Sequence, residues 1–304
     1  MNLAPSPKPL QLSSRDEEIL ASVYRYRFVT SLDIAHLLFR PSYLPYVRSR
    51  LTRLSGGEDL EENTYLCRFR LHATRGNPER IFTLGTKGRE FLQSQMGKQV
   101  DWFFRPGKFK FFSYSAILHH LLLTRFLVAC SWWCRTREEM SLLEERISYE
   151  LSRNPPQVTI TKKEKPITMS VIPDAWLSFK LRGRNYAIIF ELDRGMEFRE
   201  KFKQHVRGRI ELIRSGKYKE VFGVPGVIVS YLTTGQTPEY RTSRMKAMNA
   251  WTHEVLDDLN LKNWGGIFRF ASVEFENLYE QTPALFEEPV WLRPDTRELV
   301  NLFE

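Results

Sequence analysis

Asp174 in the run VIPDAWLSF, and Glu191 and Asp193 in YAIIFELDRG, are the residues whose types and spacing point to chemistry. Both runs read as strands, and the two-residue period of a strand puts Glu191 and Asp193 on one face. With Asp174 opposite them on a neighbouring strand, three carboxylates converge. Hard oxygen ligands of that kind suit magnesium or manganese, and such an ion activates water and stabilises the transition state of phosphodiester cleavage. Asp174, Glu191 and Asp193 are therefore the expected metal ligands. The plain alternative is that they are acids bordering apolar strands.

A second group of residues could bind rather than react. Arg48, Arg50 and Arg53 lie off the apolar stripe formed by Val47, Leu51 and Leu54, in a helix that opens at Pro45, a residue suited to a first helical turn. Two strand-like runs, Tyr65–Leu71 and Arg80–Leu84, flank a loop with Arg75, Gly76, Asn77 and Pro78, which reads as a hairpin. Arg68, Arg70 and Arg75 are the hairpin cations expected to neutralise phosphates. The charge distribution agrees. Residues 1–140 hold 21 Lys and Arg against 13 Asp and Glu, whereas residues 141–304 hold 24 against 23. A formal charge of +9 concentrated toward one end is the footprint of a polyanion partner.

Ser14 with Glu17 and Thr30 with Asp33 match capping boxes that open two helices ahead of the arginine-bearing one. A further helix is expected from Thr86. Helix, helix, arginine-bearing helix and hairpin make an N-terminal winged helix-turn-helix over 13–96, after a lead-in over 1–12. Residues 97–113 form a linker in which aromatics alternate with Arg105, Lys108 and Lys110. Beyond it, an apolar helix and a second helical segment ending near Glu150 precede strands at 158–162, 173–181 and 186–193. A helix over 196–215, a strand over 226–231, a helix over 242–259 and a strand over 267–272 follow. That order, αβββαβαβ, predicts an α/β mixed-sheet sandwich over 114–280, with 281–304 as a C-terminal tail.

Several function classes drop out. Cys67, Cys130 and Cys134 are odd in number and lack CxxC pairs, against both a disulfide framework and a structural zinc site. His119 and His120 diverge by about 100° on a helix and cannot face one metal. The chain has no P-loop, no dinucleotide fingerprint and no GxSxG elbow. The run AILHHLLLTRFLVACSWW approaches membrane-span length, but its central Arg125 makes a core helix the expectation. The opening MNLAPSPKPLQLSS has no apolar signal region. The expectation is a cytoplasmic protein without a membrane partner.

The order LSSRDEEILASVYRYRFVTSLDIAHLLF, FTLGTKGREFL, PDAW and FELDRG resembles the replication-relaxation family of plasmid and mobile-element proteins, over roughly residues 12–235. The resemblance implies DNA as partner, with replication or transposition proteins or a second copy of the chain as further partners. The second half is also similar to the PD-(D/E)xK nuclease superfamily. That similarity assigns catalytic roles to Asp174 and Glu191, but Asp193 stands where the family has its lysine. Lys201 or Lys203 is then the candidate to supply the missing cation, Lys203 being the one assigned, and Glu144 or Glu145 a further acid from the preceding helix. Two functions stay open at this point: a magnesium- or manganese-dependent DNA endonuclease, and a non-catalytic DNA-binding regulator or initiation factor whose second domain keeps a degenerate nuclease fold for dimerisation or docking.

Overall fold

The computed structural model describes residues 10–56, 58–70, 79–97, 99–101, 113–162, 165–296 and 298–304. Arg75, Arg105, Lys108 and Lys110 lie outside them. The chain is a mixed α/β protein that divides into two compact units, Met1–Val128 and Ala129–Glu304. The division falls inside one long helix, whereas the sequence reading sets it at residue 113.

In the first unit, helix α1 (Ser14–Tyr26) is capped by Ser13, whose side chain accepts from the Asp16 N–H while Asp16 accepts from the Ser13 N–H. The box therefore opens one residue earlier than the sequence suggests. Strand β1 (Val29–Thr30) leads into helix α2 (Ser31–Leu38), where Thr30 and Asp33 form the expected reciprocal cap. Helix α3 (Leu44–Leu54) buries Val47, Leu51 and Leu54. Strands β2 (Leu66–Arg70) and β3 (Arg80–Leu84) pair antiparallel in the register Leu66↔Leu84 to Arg70↔Arg80. β1 adds to the other edge of β3, giving the order β1-β3-β2. Helix α4 (Thr86–Met96) follows, and Gly88 at its start is required by space: an added Cβ would sit 2.1 Å from the Tyr65 carbonyl oxygen.

An ion pair ties α3 to α1. Arg50 Nε donates to Asp16 Oδ1 at 2.5 Å, and Asp16 is fully enclosed. Burial alone would raise the Asp16 carboxyl, but the Arg50 guanidinium and the Ser13 donors outweigh it and hold the group below its usual value. Arg50→Ala is expected to cost about 2–3 kcal/mol at neutral pH, because it strands a buried carboxylate. An acid depressed in the folded state contributes stability above its unfolded pKa and loses it as pH falls through the folded one. The deficit of the variant should therefore shrink in acid, and urea titrations at pH 7 and pH 3 check this.

Helix α5 (Tyr114–Arg135) is the one helix among the described residues with the length and hydropathy of a membrane span, and 72% of its apolar window is buried inside the protein. Its central Arg125 is neutralised by Asp33 (3.4 Å) and Glu79 (2.9 Å). An arginine paired in this way is compatible with a core position. Cys67, Cys130 and Cys134 are free and buried, and burial pushes the Cys67 and Cys134 thiols up to about 12.

The second unit is built on a seven-stranded mixed sheet. Strand β4 (Met140–Ile147) runs into the short helix α6 (Ser148–Leu151). The sequence reading makes this segment helical; the structure corrects it, because MSLLEERI pairs with β7 from Met140 to Ile147, interrupted only by an irregularity at Leu143. Strands β5 (Gln157–Lys162) and β6 (Lys165–Ser170) form a separate two-stranded ribbon. Strands β7 (Ala175–Leu181) and β8 (Arg184–Asp193) return to the main sheet as a hairpin. Helices α7 (Arg199–Arg214) and α8 (Lys217–Phe222) precede strand β9 (Ile228–Thr233), and helix α9 (Pro238–Asp258) precedes β10 (Phe268–Ser272). Helix α10 (Leu278–Glu287) and strands β11 (Trp291–Leu292) and β12 (Leu299–Val300) complete the order β12-β11-β10-β9-β8-β7-β4.

β8, β9 and β10 are parallel; the pairs on either side are antiparallel. On one face Trp176, Ile189, Tyr231 and Phe270 meet Phe202, Val206 and Met248 from α7 and α9. On the other, Phe179 packs edge-on against Phe286 and Phe303. Residues 281–304 therefore belong to the folded unit, with Trp291 and Leu302 buried.

Candidate functional site

The carboxylates come together as the strand period requires. The β7–β8 pairing Ala175↔Phe190, carried one step further, sets Asp174 across from Glu191, with Asp193 two residues on. Asp174 is held at the strand mouth: its Oδ2 accepts from the Leu192 N–H at 2.8 Å, and its carbonyl accepts from the Ser148 N–H at 2.9 Å.

What closes over this face is cationic. Helix α7 docks through Phe202, Val206 and Ile210, and the same stripe lowers Arg209 onto Glu191. Arg209 Nε donates to Glu191 Oε1 at 2.7 Å, Nη2 donates to the same oxygen, and Nη2 also reaches the Ile172 carbonyl at 3.3 Å. Burial pushes Glu191 up to about 7; Arg209 opposes that rise and Asp174 adds to it. The same burial penalises the Arg209 charge, yet the neighbouring Glu191 carboxylate holds the guanidinium above its usual value.

Asp193 has its own arginine. Arg244 of α9 makes a two-pronged contact, Nε to Oδ2 at 3.0 Å and Nη2 to Oδ1 at 2.9 Å, and Nη2 also donates to the Glu197 carbonyl at 2.9 Å. This fork-to-fork geometry is the strong form of a charged hydrogen bond.

Lys203 is not brought to this cluster. Its ammonium sits 2.8 Å from Glu254, and Lys201 lies 3.8 Å from Glu197. Glu144 is on β4 and pairs with Arg146 at 2.6 Å, while Glu145 lies across from Leu177.

Magnesium or manganese requires several oxygen ligands with their lone pairs directed at the ion. Here Glu191 and Asp193 spend theirs on guanidinium groups, and Asp174 accepts from the backbone. Among the described residues no group of three or more His, Cys, Asp and Glu side chains is arranged to hold an ion. The residues present do not fit a divalent metal centre; Arg209 and Arg244 already supply the positive charge that such an ion would bring.

Sequence reasoning missed both arginines. The signal was present in α7: Arg209 falls on the stripe of Phe202 and Val206, and a charge on an apolar stripe demands a buried partner.

The arginines of the first unit separate into two groups. Arg48 and Arg53 are exposed on α3, and Arg70 is exposed at the end of β2. Arg50 is engaged by Asp16, and Arg68 is buried with its Nε 3.0 Å from Asp59. Arg48 and Arg53 are thus the members of the helical set presented to solvent, beside the exposed Tyr46.

A family model described as replication-relaxation matches residues 20–228, a stretch that runs from the middle of α1 through α8 to the first residue of β9. No curated protein and no solved structure matches the chain. A match over more than half the length, spanning both the arginine-bearing helix and the carboxylate strands, means that the chain belongs to the replication-relaxation family.

Proposed function

We propose that the chain is a DNA-binding protein acting in plasmid or mobile-element replication or relaxation. In this reading the first unit is a winged helix that docks α3 in the major groove and rests the β2–β3 hairpin on the flanking backbone. The observation that carries it is the exposure of Arg48 and Arg53 on the second helix of the α2–α3 pair, while the opposite face of that helix is buried. The basic bias of residues 1–140 supports the same partner.

The second unit is read as a nuclease-like core: antiparallel β4, β7 and β8 followed by a helix and a parallel β9, with Asp174 and Glu191 at the strand ends. Its arginine-neutralised carboxylates favour a binding or docking role, with replication proteins or a second copy of the chain as partners, over metal-dependent cleavage.

The test is to incubate the purified chain with supercoiled plasmid and magnesium or manganese, alongside a mobility-shift titration in salt. Intact plasmid with a salt-sensitive shift is the expected result. Metal-dependent nicking that disappears in Asp174→Ala and in Glu191→Ala would overturn the non-catalytic half of the reading. Absence of any shift would overturn the DNA-binding half.

A further inference from the structure

Positive charge in the second half of the chain is segregated. The ribbon residues 157–170 and helix α7 hold nine of the 24 Lys and Arg in residues 141–304, but only three of the 23 Asp and Glu. The rest of that half is therefore acidic, and the two segments are neighbours in the fold. Val158 and Ile160 on the inner side of β5 join the core that α7 completes. Gly208 of α7 allows the approach, since an added Cβ would come within 3.1 Å of the Met169 sulfur on β6.

The ribbon presents a polar outer side. Gln157, Thr159 and Thr161 alternate with the buried residues of β5, and Thr168 and Ser170 are exposed on β6. Gln157 donates to Ser170 at 2.8 Å, and the Thr159 and Thr168 hydroxyls lie 3.4 Å apart. None of the large exposed apolar side chains among the described residues falls on it, so it lacks what a membrane or an apolar protein partner would need. Between ribbon and helix runs a groove of about 410 Å³, lined by Thr161, Glu200, Lys201, Lys203, Gln204 and Arg207 among others. Lys165 is exposed at the ribbon end.

We propose that this ribbon and the adjoining face of α7 form a second contact for duplex DNA, gripping the phosphate backbone without reading base sequence. A two-stranded ribbon has the width of the major groove, hydroxyls and amides donate to phosphate oxygens, and the groove cations replace condensed counterions. Lys203 and Arg207 are paired with Glu254 (2.8 Å) and Asp258 (2.7 Å). The two acid side chains are exposed, whereas Lys203 and Arg207 are half-buried and held in place by the fold, so a phosphate arriving from solvent competes with the acids for cations already positioned. The inference rests on the DNA-binding reading for the identity of the polyanion, but not on the role of α3.

The experiment compares the full chain with the Lys165→Gln, Lys201→Gln, Arg207→Gln triple variant on a duplex of arbitrary sequence. The expected result is a slope of log affinity against log salt that is shallower by about 2–3, and roughly ten-fold or more weaker binding near physiological salt, with Tm retained. An unchanged slope overturns the proposal. Should the triple variant lose its fold, Thr161→Cys carrying a photo-crosslinker decides: Cys67, Cys130 and Cys134 are buried, so the label is selective. Crosslinking to duplex supports the contact, and crosslinking to single strands only, or none, overturns it. An Arg48→Ala, Arg53→Ala variant keeps the two readings apart. If only that variant loses affinity, the ribbon contact falls and the winged-helix reading stands; if only the ribbon variant does, the reverse holds.

Discussion

Replacing Arg48 and Arg53 together by alanine is expected to weaken binding to duplex DNA by about a hundred-fold or more while leaving the fold intact. Each lost arginine contact to base or phosphate is worth about 1–3 kcal/mol. Both side chains project from the solvent side of α3, whose Val47, Leu51 and Leu54 do the packing, so truncating them opens no cavity. The salt dependence carries further information. If both arginines touch phosphate, the slope of log affinity against log salt falls by about 2; if one reads a base, discrimination between sequences falls instead. Arg50→Ala is the contrasting control, since its partner is Asp16: it should lower Tm. Undiminished affinity in the double variant, with circular dichroism and Tm unchanged, would remove α3 from the DNA interface.

Loss of Arg209 should be the most damaging single change in the second unit. Arg209→Met removes the cation from a buried pair and leaves Glu191 uncompensated, a class of change that costs about 3–5 kcal/mol. Adding Glu191→Gln to Arg209→Met is expected to recover most of that, because the stranded charge is gone.

The pH dependence has a definite sign. Burial already lifts Glu191 to about 7 in the folded protein, above its usual 4.5. The folded state therefore holds a proton that the unfolded state releases, and the associated stability is full below about 4.5 and lost as pH rises through about 7. Without Arg209 the carboxylate leans further on that proton, so the Arg209→Met deficit should be larger at pH 8 than at pH 5. Urea titrations of wild type, single and double variants at both pH values measure this. A double variant no more stable than the single one would show that the pair is not the source of the cost. Stabilisation of the wild type by magnesium, absent in Asp174→Ala, would contradict the closed carboxylate cluster, because a ligand bound only by the native state must raise its apparent stability.

Local interactions made a good part of this protein legible from its residues. Thr30 and Asp33 bond to each other across one helical turn, so four residues of sequence suffice to place the start of α2. The β2–β3 hairpin and the buried stripe of α3 follow from periods of two and about 3.6 in the same way. The cap of α1 lies one residue from the sequence expectation, since Ser13 with Asp16 and Ser14 with Glu17 offer the same pattern, and the fold closes the box through Ser13 and Asp16.

Strand β4 shows where such reasoning stops. MSLLEERI is rich in helix-forming residues, and its extended form is stabilised by the backbone of β7, which lies 28 (Ile147↔Ala175) to 41 (Met140↔Leu181) residues downstream. Propensity is a weak prior against a ladder of tertiary hydrogen bonds. The same limit hid the departure of β5 and β6 from the main sheet and the entry of β11 and β12 into it: pairing partners are chosen by topology, and nothing in a strand names its neighbour.

The carboxylate cluster divides along the same line. The sequence by itself determined that Glu191 and Asp193 share a face, because alternation is a property of one strand, and that the chain carries its basic surplus toward the first unit. Only the tertiary structure decided what those acids do. Arg209 is 18 residues from Glu191 and Arg244 is 51 from Asp193; each reaches its carboxylate because a helix packs over the sheet at one particular rotation. A buried charge must be neutralised by whatever the fold brings within hydrogen-bonding reach, and here the fold brings guanidinium groups from α7 and α9.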